Sequence, residues 1–196
     1  MSGICSKIKN IFKYLYTKFF VTKFKVLVLG LSRTTKSCLV PAIFENVYPT
    51  KKYKSKIKTT EYREGNVCYV VYDIPGSRKF RIKWDYYYRR CDVLLYCVDL
   101  TWPDEMWERA KEELRSLLYR NIWMKKNLLV LGTKNDLEEA LECKDMILKL
   151  DLLSITDREI ACYSVSAKEG TNVDIIKPWL MDQFDLKYGE SKLVLY

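Results

Sequence analysis

The stretches Val26–Leu29, Val93–Val98 and Leu128–Leu131 are apolar without interruption. Runs of this length, rich in branched residues and too short for helices, read as strands covered on both faces. Two further strands, Ile57–Arg63 and Val67–Tyr72, flank the tight turn Glu64-Gly65-Asn66 and make a β-hairpin. A sixth short strand is expected at Glu159–Tyr163. Between the strands the period changes to that of helices. Met106, Trp107, Ala110, Leu114 and Leu117 share one face of a helix from Asp104 to about Leu118. Other helices are expected from Lys36 to about Val47 with Pro41 inside, from Asp136 to about Leu150, and from the turn Ser166-Ala167-Lys168 to about Phe184. Pro178 is expected to interrupt the last. Strands alternating with helices predict an α/β fold on a mostly parallel sheet.

The first 23 residues have a different pattern. At helical spacing Ile4, Ile8, Ile11, Phe12, Leu15 and Phe19 fall on one face, while Lys7, Lys9, Lys13 and Lys18 take the rest. A basic helix with an aliphatic and aromatic face has the composition of one that lies on a membrane surface. Its dispersed lysines do not match a signal peptide. Ser2 occupies the place where N-myristoylation requires Gly, and Cys5 offers a site for reversible palmitoylation. The organisation expected is an amphipathic helix at 1–23, one domain at 24–186 and a tail at 187–196.

Composition narrows the class. With 196 residues and 48% hydrophobic content, one compact domain is expected. No apolar run is long enough to cross a membrane. Seven scattered cysteines without a CxxC pair, and no histidine at all, argue against zinc and disulfide frameworks and suit a reducing, cytoplasmic setting. Residues 1–90 hold 20 Lys and Arg against 5 Asp and Glu, whereas the remaining 106 hold 14 against 20. A half so basic suggests an anionic partner: phospholipid, nucleotide or nucleic acid.

Candidate chemistry lies at the carboxyl ends of the strands, where open α/β sheets bind ligands. After the first strand come Gly30, then Lys36 and Ser37. Such a turn opens a helix around a phosphate. Its amides point inward, the lysine meets the outer phosphates and the hydroxyl holds Mg²⁺. The full pattern has Gly just before the lysine, and this chain has Thr35. The hairpin ends at Asp73-Ile74-Pro75-Gly76, the strand at 127–132 at Thr133-Lys134-Asn135-Asp136, and the sixth strand at Ser166-Ala167-Lys168. The run Val93–Val98 carries no candidate chemistry of its own.

Those four motifs in that order resemble the Ras superfamily of small GTPases, and specifically its Arf-like branch. Phe80-Arg81, Trp84, Glu112-Glu113-Leu114 and Leu129–Gly132 strengthen the likeness. Asp157-Arg158-Glu159-Ile160-Ala161-Cys162-Tyr163-Ser164 is most similar to the lysosome-associated, eighth Arf-like subfamily, which also begins with an amphipathic helix and lacks the myristoylation Gly. The resemblance covers residues 24–184 and implies a P-loop small GTPase fold with a six-stranded sheet. It also implies GTP or GDP with Mg²⁺, an exchange factor and protein effectors.

By that resemblance Asp136 accepts two hydrogen bonds from guanine, Lys134 lies along the base, and Ala167 offers its amide to the base carbonyl between Ser166 and Lys168. Thr133 replaces the usual Asn. Asp73 reaches Mg²⁺ through water, beside Ser37, and Gly76 offers its amide to the γ-phosphate. Other positions depart from the family pattern. Thr35 is β-branched where backbone and phosphate nearly touch, Pro75 replaces a Gly, and Ser77 replaces the Gln that orients the attacking water. Lys54 stands where the first-switch Thr is expected, with Pro49-Thr50 and Ser55 as neighbours.

The reading is a monomeric, membrane-recruited switch or adaptor of vesicle or lysosome traffic, peripheral on late endosomes or lysosomes, with weak hydrolysis. The alternative is an interaction scaffold that has lost nucleotide. Nucleic acid ranks last: Tyr86-Tyr87-Tyr88-Arg89-Arg90 interleaves aromatics with charge, but no RNA-binding signature accompanies it.

Overall fold

A computed structural model of the chain describes residues 21–49 and 56–189. Its six strands are β1 (Thr22–Leu29), β2 (Lys58–Glu64), β3 (Val67–Asp73), β4 (Val93–Asp99), β5 (Leu128–Thr133) and β6 (Ile160–Val165). They form one sheet in the order β2-β3-β1-β4-β5-β6. Only the β2–β3 pair is antiparallel, as its tight turn requires. The sheet is therefore the mostly parallel, six-stranded one that the pattern predicts.

Helices α1 (Lys36–Glu45), α2 (Arg78–Arg81), α3 (Trp84–Tyr88), α4 (Asp104–Arg120), α5 (Cys143–Lys149) and α6 (Ile176–Tyr188) cover its faces. The pleat sends alternate residues to opposite sides. Phe24, Val26 and Val28 of β1 join Leu95 and Cys97 in a core closed by Leu39 and Ile43 of α1 and Trp179, Leu180 and Phe184 of α6. Leu27, Leu29, Leu94 and Tyr96 point the other way, under Trp84, Trp107, Ala110, Leu114 and Met146. Every residue of β4 is buried. That double burial is why the run contains no polar residue until its last.

Several boundaries differ from expectation. Strand β1 starts at Thr22, so the last two residues of the segment read as an N-terminal helix belong to the sheet. Ile4, Ile8, Ile11, Phe12, Leu15 and Phe19 lie outside the described residues, as do Thr50, Lys54 and Ser55. Helix α6 continues through Tyr188, into the expected tail. Pro178 is its third residue, in the first turn, where no intrahelical bond needs the missing N–H; it begins the helix rather than interrupting it. Pro41 does fall mid-helix in α1, as expected. The helix expected from Asp136 onward begins only at Cys143, where the Asp145 carboxylate accepts the Glu142 amide at 3.1 Å and defines the start.

Candidate functional site

Glycine 30 leaves β1 with φ +142°, and a Cβ there would stand 2.1 Å from the Cys97 carbonyl oxygen of β4. No other residue fits. The chain then curls through two left-handed residues, Arg33 (φ 70°) and Thr35 (φ 51°), before α1 begins at Lys36. This places Thr35 in the conformation a glycine would supply, with a β-branched side chain that disfavours it. The amides of residues 32–37 have no backbone acceptor among the described residues. Curled left-handed backbone with free amides is an anion-binding nest.

Lys36 is buried in the middle of the curl. Its Nζ donates to the carbonyl oxygens of Gly30 at 2.9 Å and Leu31 at 2.6 Å, and to Thr34 Oγ1 at 2.7 Å. All three ammonium protons therefore have acceptors. Burial pulls its pKa down to about 8, against the attraction of Asp73. The Thr34 hydroxyl, itself buried, donates to the Leu31 carbonyl at 3.0 Å.

Ser37 Oγ donates to Asp73 Oδ2 at 2.7 Å, joining the start of α1 to the end of β3. Burial raises the Asp73 pKa, and the Ser37 bond with the charges of Lys36 and Lys58 opposes the rise. A hydroxyl and a carboxylate so joined, beside a lysine, form an oxygen donor set of the kind Mg²⁺ takes near phosphates. Gly76 lies against the phosphate loop: a Cβ there would come within 2.2 Å of the Gly30 carbonyl oxygen. Arg81 Nε holds the Gly76 carbonyl at 2.9 Å, and Arg81 also pairs with Glu113 of α4. Beside Gly76, Ser77 Oγ is buried without a partner among the described residues. An orphaned hydroxyl at the edge of the nest fits a site meant for a further polar group.

A second group of loops closes the site. Thr133, at the end of β5, donates its hydroxyl to the Val98 carbonyl at 2.8 Å. Lys134 is left-handed (φ 66°) and forms an ion pair with Asp99 at the end of β4. Asp99 is held in turn by the amide and hydroxyl of Thr101, at 3.0 and 2.8 Å. The run Val93–Val98, read as bearing no chemistry, thus delivers the carboxylate that fixes Lys134. Asp136 is exposed. Ser166 and Ala167 are buried, and Ser166 Oγ accepts the Glu169 amide at 3.1 Å to set the turn; Lys168 pairs with Glu169.

Tyr48 was not among the expected site residues. Its phenol hydrogen-bonds Cys38 and lies in the fields of Asp136 and Lys168, and its pKa is raised chiefly by burial. An aromatic ring near Asp136 and Lys168 could border a planar base. The one sequence signal was a lone aromatic in the loop leaving α1.

The residues present fit a nucleoside phosphate with Mg²⁺. Lys36 and the loop amides would hold phosphate, Ser37 and Asp73 the metal, and Asp136, Tyr48, Lys134 and Ala167 the base. When bound, Mg²⁺ supplies charge neutralisation for the phosphates.

A mostly parallel six-stranded sheet flanked by helices, with a curled glycine–lysine loop at its first crossover, is the fold of a P-loop small GTPase. The sequence profile of the ADP-ribosylation factor family matches residues 8–184, and the chain belongs to that family. It is 32% identical over 177 residues to ADP-ribosylation factor-like protein 8c of Arabidopsis thaliana, covering 88% of this chain and 94% of the relative. Its fold is similar to the Arl6 BBS3 small GTPase of Trypanosoma brucei, solved with the nucleotide analogue GppNp. The TM-score is 0.73 at 22% identity, over 82% of this chain and 96% of that one.

Proposed function

We propose that this chain is a guanine-nucleotide-binding switch or adaptor, held on membranes by its first residues and acting in vesicle or lysosome traffic. The observation that carries the reading is the Ser37–Asp73 hydrogen bond at 2.7 Å, closed over a curled loop whose lysine is already in place. The pair that would hold Mg²⁺ and the lysine that would meet phosphate lie side by side at the mouth of the loop, as a nucleotide site needs. Asp136 and Ala167 give the preference for guanine, and the chain responds to an exchange factor and effectors as its relatives' class does. Attachment is peripheral: no described helix is long and apolar enough to cross a membrane. The similarity of residues 157–164 to the eighth Arf-like subfamily favours late endosomes or lysosomes as its location.

Hydrolysis is slow in this reading. Ser77, with a short buried side chain, stands where the family has the Gln that orients the attacking water. Nucleotide analysis of the purified protein, followed by calorimetric titration with GDP and GTP in Mg²⁺, tests the proposal. Guanine nucleotide in the preparation, or saturable binding, supports the switch. Neither, from folded protein, establishes the scaffold instead.

A further inference from the structure

The loop at 121–126, at the opposite end of the sheet from the nucleotide site, carries a cluster of exposed apolar residues. Trp123 is 94% exposed and Tyr119, at the end of α4, 78% exposed; Ile122 and Met124 are exposed beside them. This exposure is built in. Asn121 is buried, and its side chain donates to the Leu117 carbonyl at 3.0 Å and Asp85 at 2.7 Å while accepting from Arg89 at 3.1 Å. Tyr88 of α3 donates its hydroxyl to the Met124 carbonyl at 2.9 Å, and the Met124 and Lys126 amides close tight turns at 2.8 Å. A loop fastened from both sides holds its tryptophan out in water.

Three acids beside the loop are paired: Asp85 with Arg120, Asp157 with Arg158 and Asp92 with Lys187. Glu159 is engaged by the amides of Asn127 and Gln183. Arg89, Arg90, Lys125 and Lys126 form no ion pair among the described residues. Position adds a second argument. Strands β1, β4 and β5 run parallel, so their amino ends make one edge, and the 121–127 segment enters that edge just before Leu128. Residue 21 enters it just before Thr22, whose amide bonds the Asn66 carbonyl at 2.9 Å. The chain before residue 21, basic in composition, therefore enters the domain on the edge where Trp123 projects.

From these observations we propose that this loop is a second membrane contact. Trp123 and Ile122 enter the interfacial layer of an anionic bilayer while Lys125, Lys126, Arg89 and Arg90 meet lipid phosphates. Indole favours that layer because its body is apolar and its N–H stays hydrated. Each lysine or arginine close to an anionic leaflet adds attraction. Two contacts on one edge would fix the orientation of the domain on the membrane and leave the nucleotide loops facing away. The inference rests on the membrane-attached reading above and is tested apart from it.

The experiment is co-sedimentation of the full-length chain with phosphatidylcholine vesicles, with and without phosphatidylserine. Wild type is compared with Trp123→Ser, with Lys125→Glu, and with the paired change Ile8→Glu and Ile11→Glu. Ile122, Trp123 and Lys125 are exposed, so these loop variants keep the fold. Trp123→Ser and Lys125→Glu should each weaken binding to the anionic vesicles about tenfold. Tryptophan emission should shift to the blue and be quenched by brominated lipid in wild type, and Trp123→Phe should abolish that response. Wild-type binding unchanged in Trp123→Ser overturns the loop contact and leaves attachment through residues 1–20 standing. No wild-type binding to either vesicle overturns both. A dimer in sedimentation equilibrium that Trp123→Ser dissolves assigns the patch to a second copy and also overturns the proposal.

Discussion

The ammonium of Lys36 lies 2.7 Å from the hydroxyl oxygen of Thr34, which thereby becomes the third ligand of a lysine already bound to two loop carbonyls. An incoming phosphate must compete for at least one of those protons. Hydrogen bonds to charged groups contribute about 1.5–3 kcal/mol, and 1.4 kcal/mol is about tenfold in affinity. Thr34→Val keeps the shape of a buried side chain and removes the acceptor. The expected outcome is lower thermal stability of the nucleotide-free protein together with about tenfold tighter GDP binding. Calorimetry and a melting curve of the stripped protein check both. Weaker binding in Thr34→Val would show that the hydroxyl supports the phosphate site rather than competing with it.

The lowered Lys36 pKa of about 8 gives a pH dependence whose sign follows from burial. Phosphate beside the ammonium favours its charged form, so the bound state has the higher pKa. Between about 8 and that higher value, binding takes up a proton, and affinity falls as pH rises, by at most about tenfold per unit. Folding has the opposite slope. The unfolded lysine titrates near 10.5, so between about 8 and 10.5 the unfolded chain holds more protons and the nucleotide-free fold gains stability with pH from this group. Titrations at pH 7 and pH 9 in buffers of different ionisation enthalpy read the proton uptake directly.

The middle of the sheet was legible because β1, β4 and β5 are continuous apolar runs, and the hairpin because Glu64-Gly65-Asn66 leaves room for nothing but a turn. Helices α2 and α3, of four and five residues, were not, since one turn is too short to show a period. Asp99 was missed because it caps an apolar run and its meaning lies in a contact with Lys134, 35 positions away in the chain. Thr34 was missed for a related reason: the phosphate-loop pattern leaves that position free. Thr35, by contrast, was marked by the pattern itself, and its backbone is left-handed.

Ser77 makes a separate prediction about turnover. Its hydroxyl is buried beside Gly76 without a partner among the described residues, and it stands in place of the water-orienting Gln, so the unmodified protein should hydrolyse bound GTP no faster than a poor intrinsic GTPase. Ser77→Gln is expected to leave the rate within about threefold, because Pro75 also departs from the family pattern and stiffens the approach to Gly76. Single-turnover hydrolysis of preloaded GTP measures both proteins. A fast rate in wild type would mean that another group orients the water.

Thr35 offers the most direct test of how much the altered loop costs. Its φ of 51° and ψ of 13° are left-handed, and a β-branched residue held there stores about 1–3 kcal/mol. No side-chain hydrogen bond from Thr35 caps α1 in return; only its carbonyl works, accepting the Cys38 and Leu39 amides at 2.9 Å. Glycine keeps that carbonyl, relaxes the strain and clears the path of a phosphate to the loop amides. Set against this, glycine has more freedom to lose, worth about 0.5–1 kcal/mol. Affinity for GDP in Mg²⁺ should rise at least about tenfold in Thr35→Gly, because removing the side chain opens the loop amides to phosphate, while the strain and entropy terms act on the loop with or without ligand and show in the melting temperature instead. Adding Asp136→Ala should abolish the preference for GDP over ADP and leave phosphate affinity, read with inorganic pyrophosphate, unchanged. Nanomolar GDP binding by wild type would show that the loop tolerates Thr35. Should neither protein bind, strain at Thr35 is not what limits the site, and Pro41 in α1 becomes the next position to change.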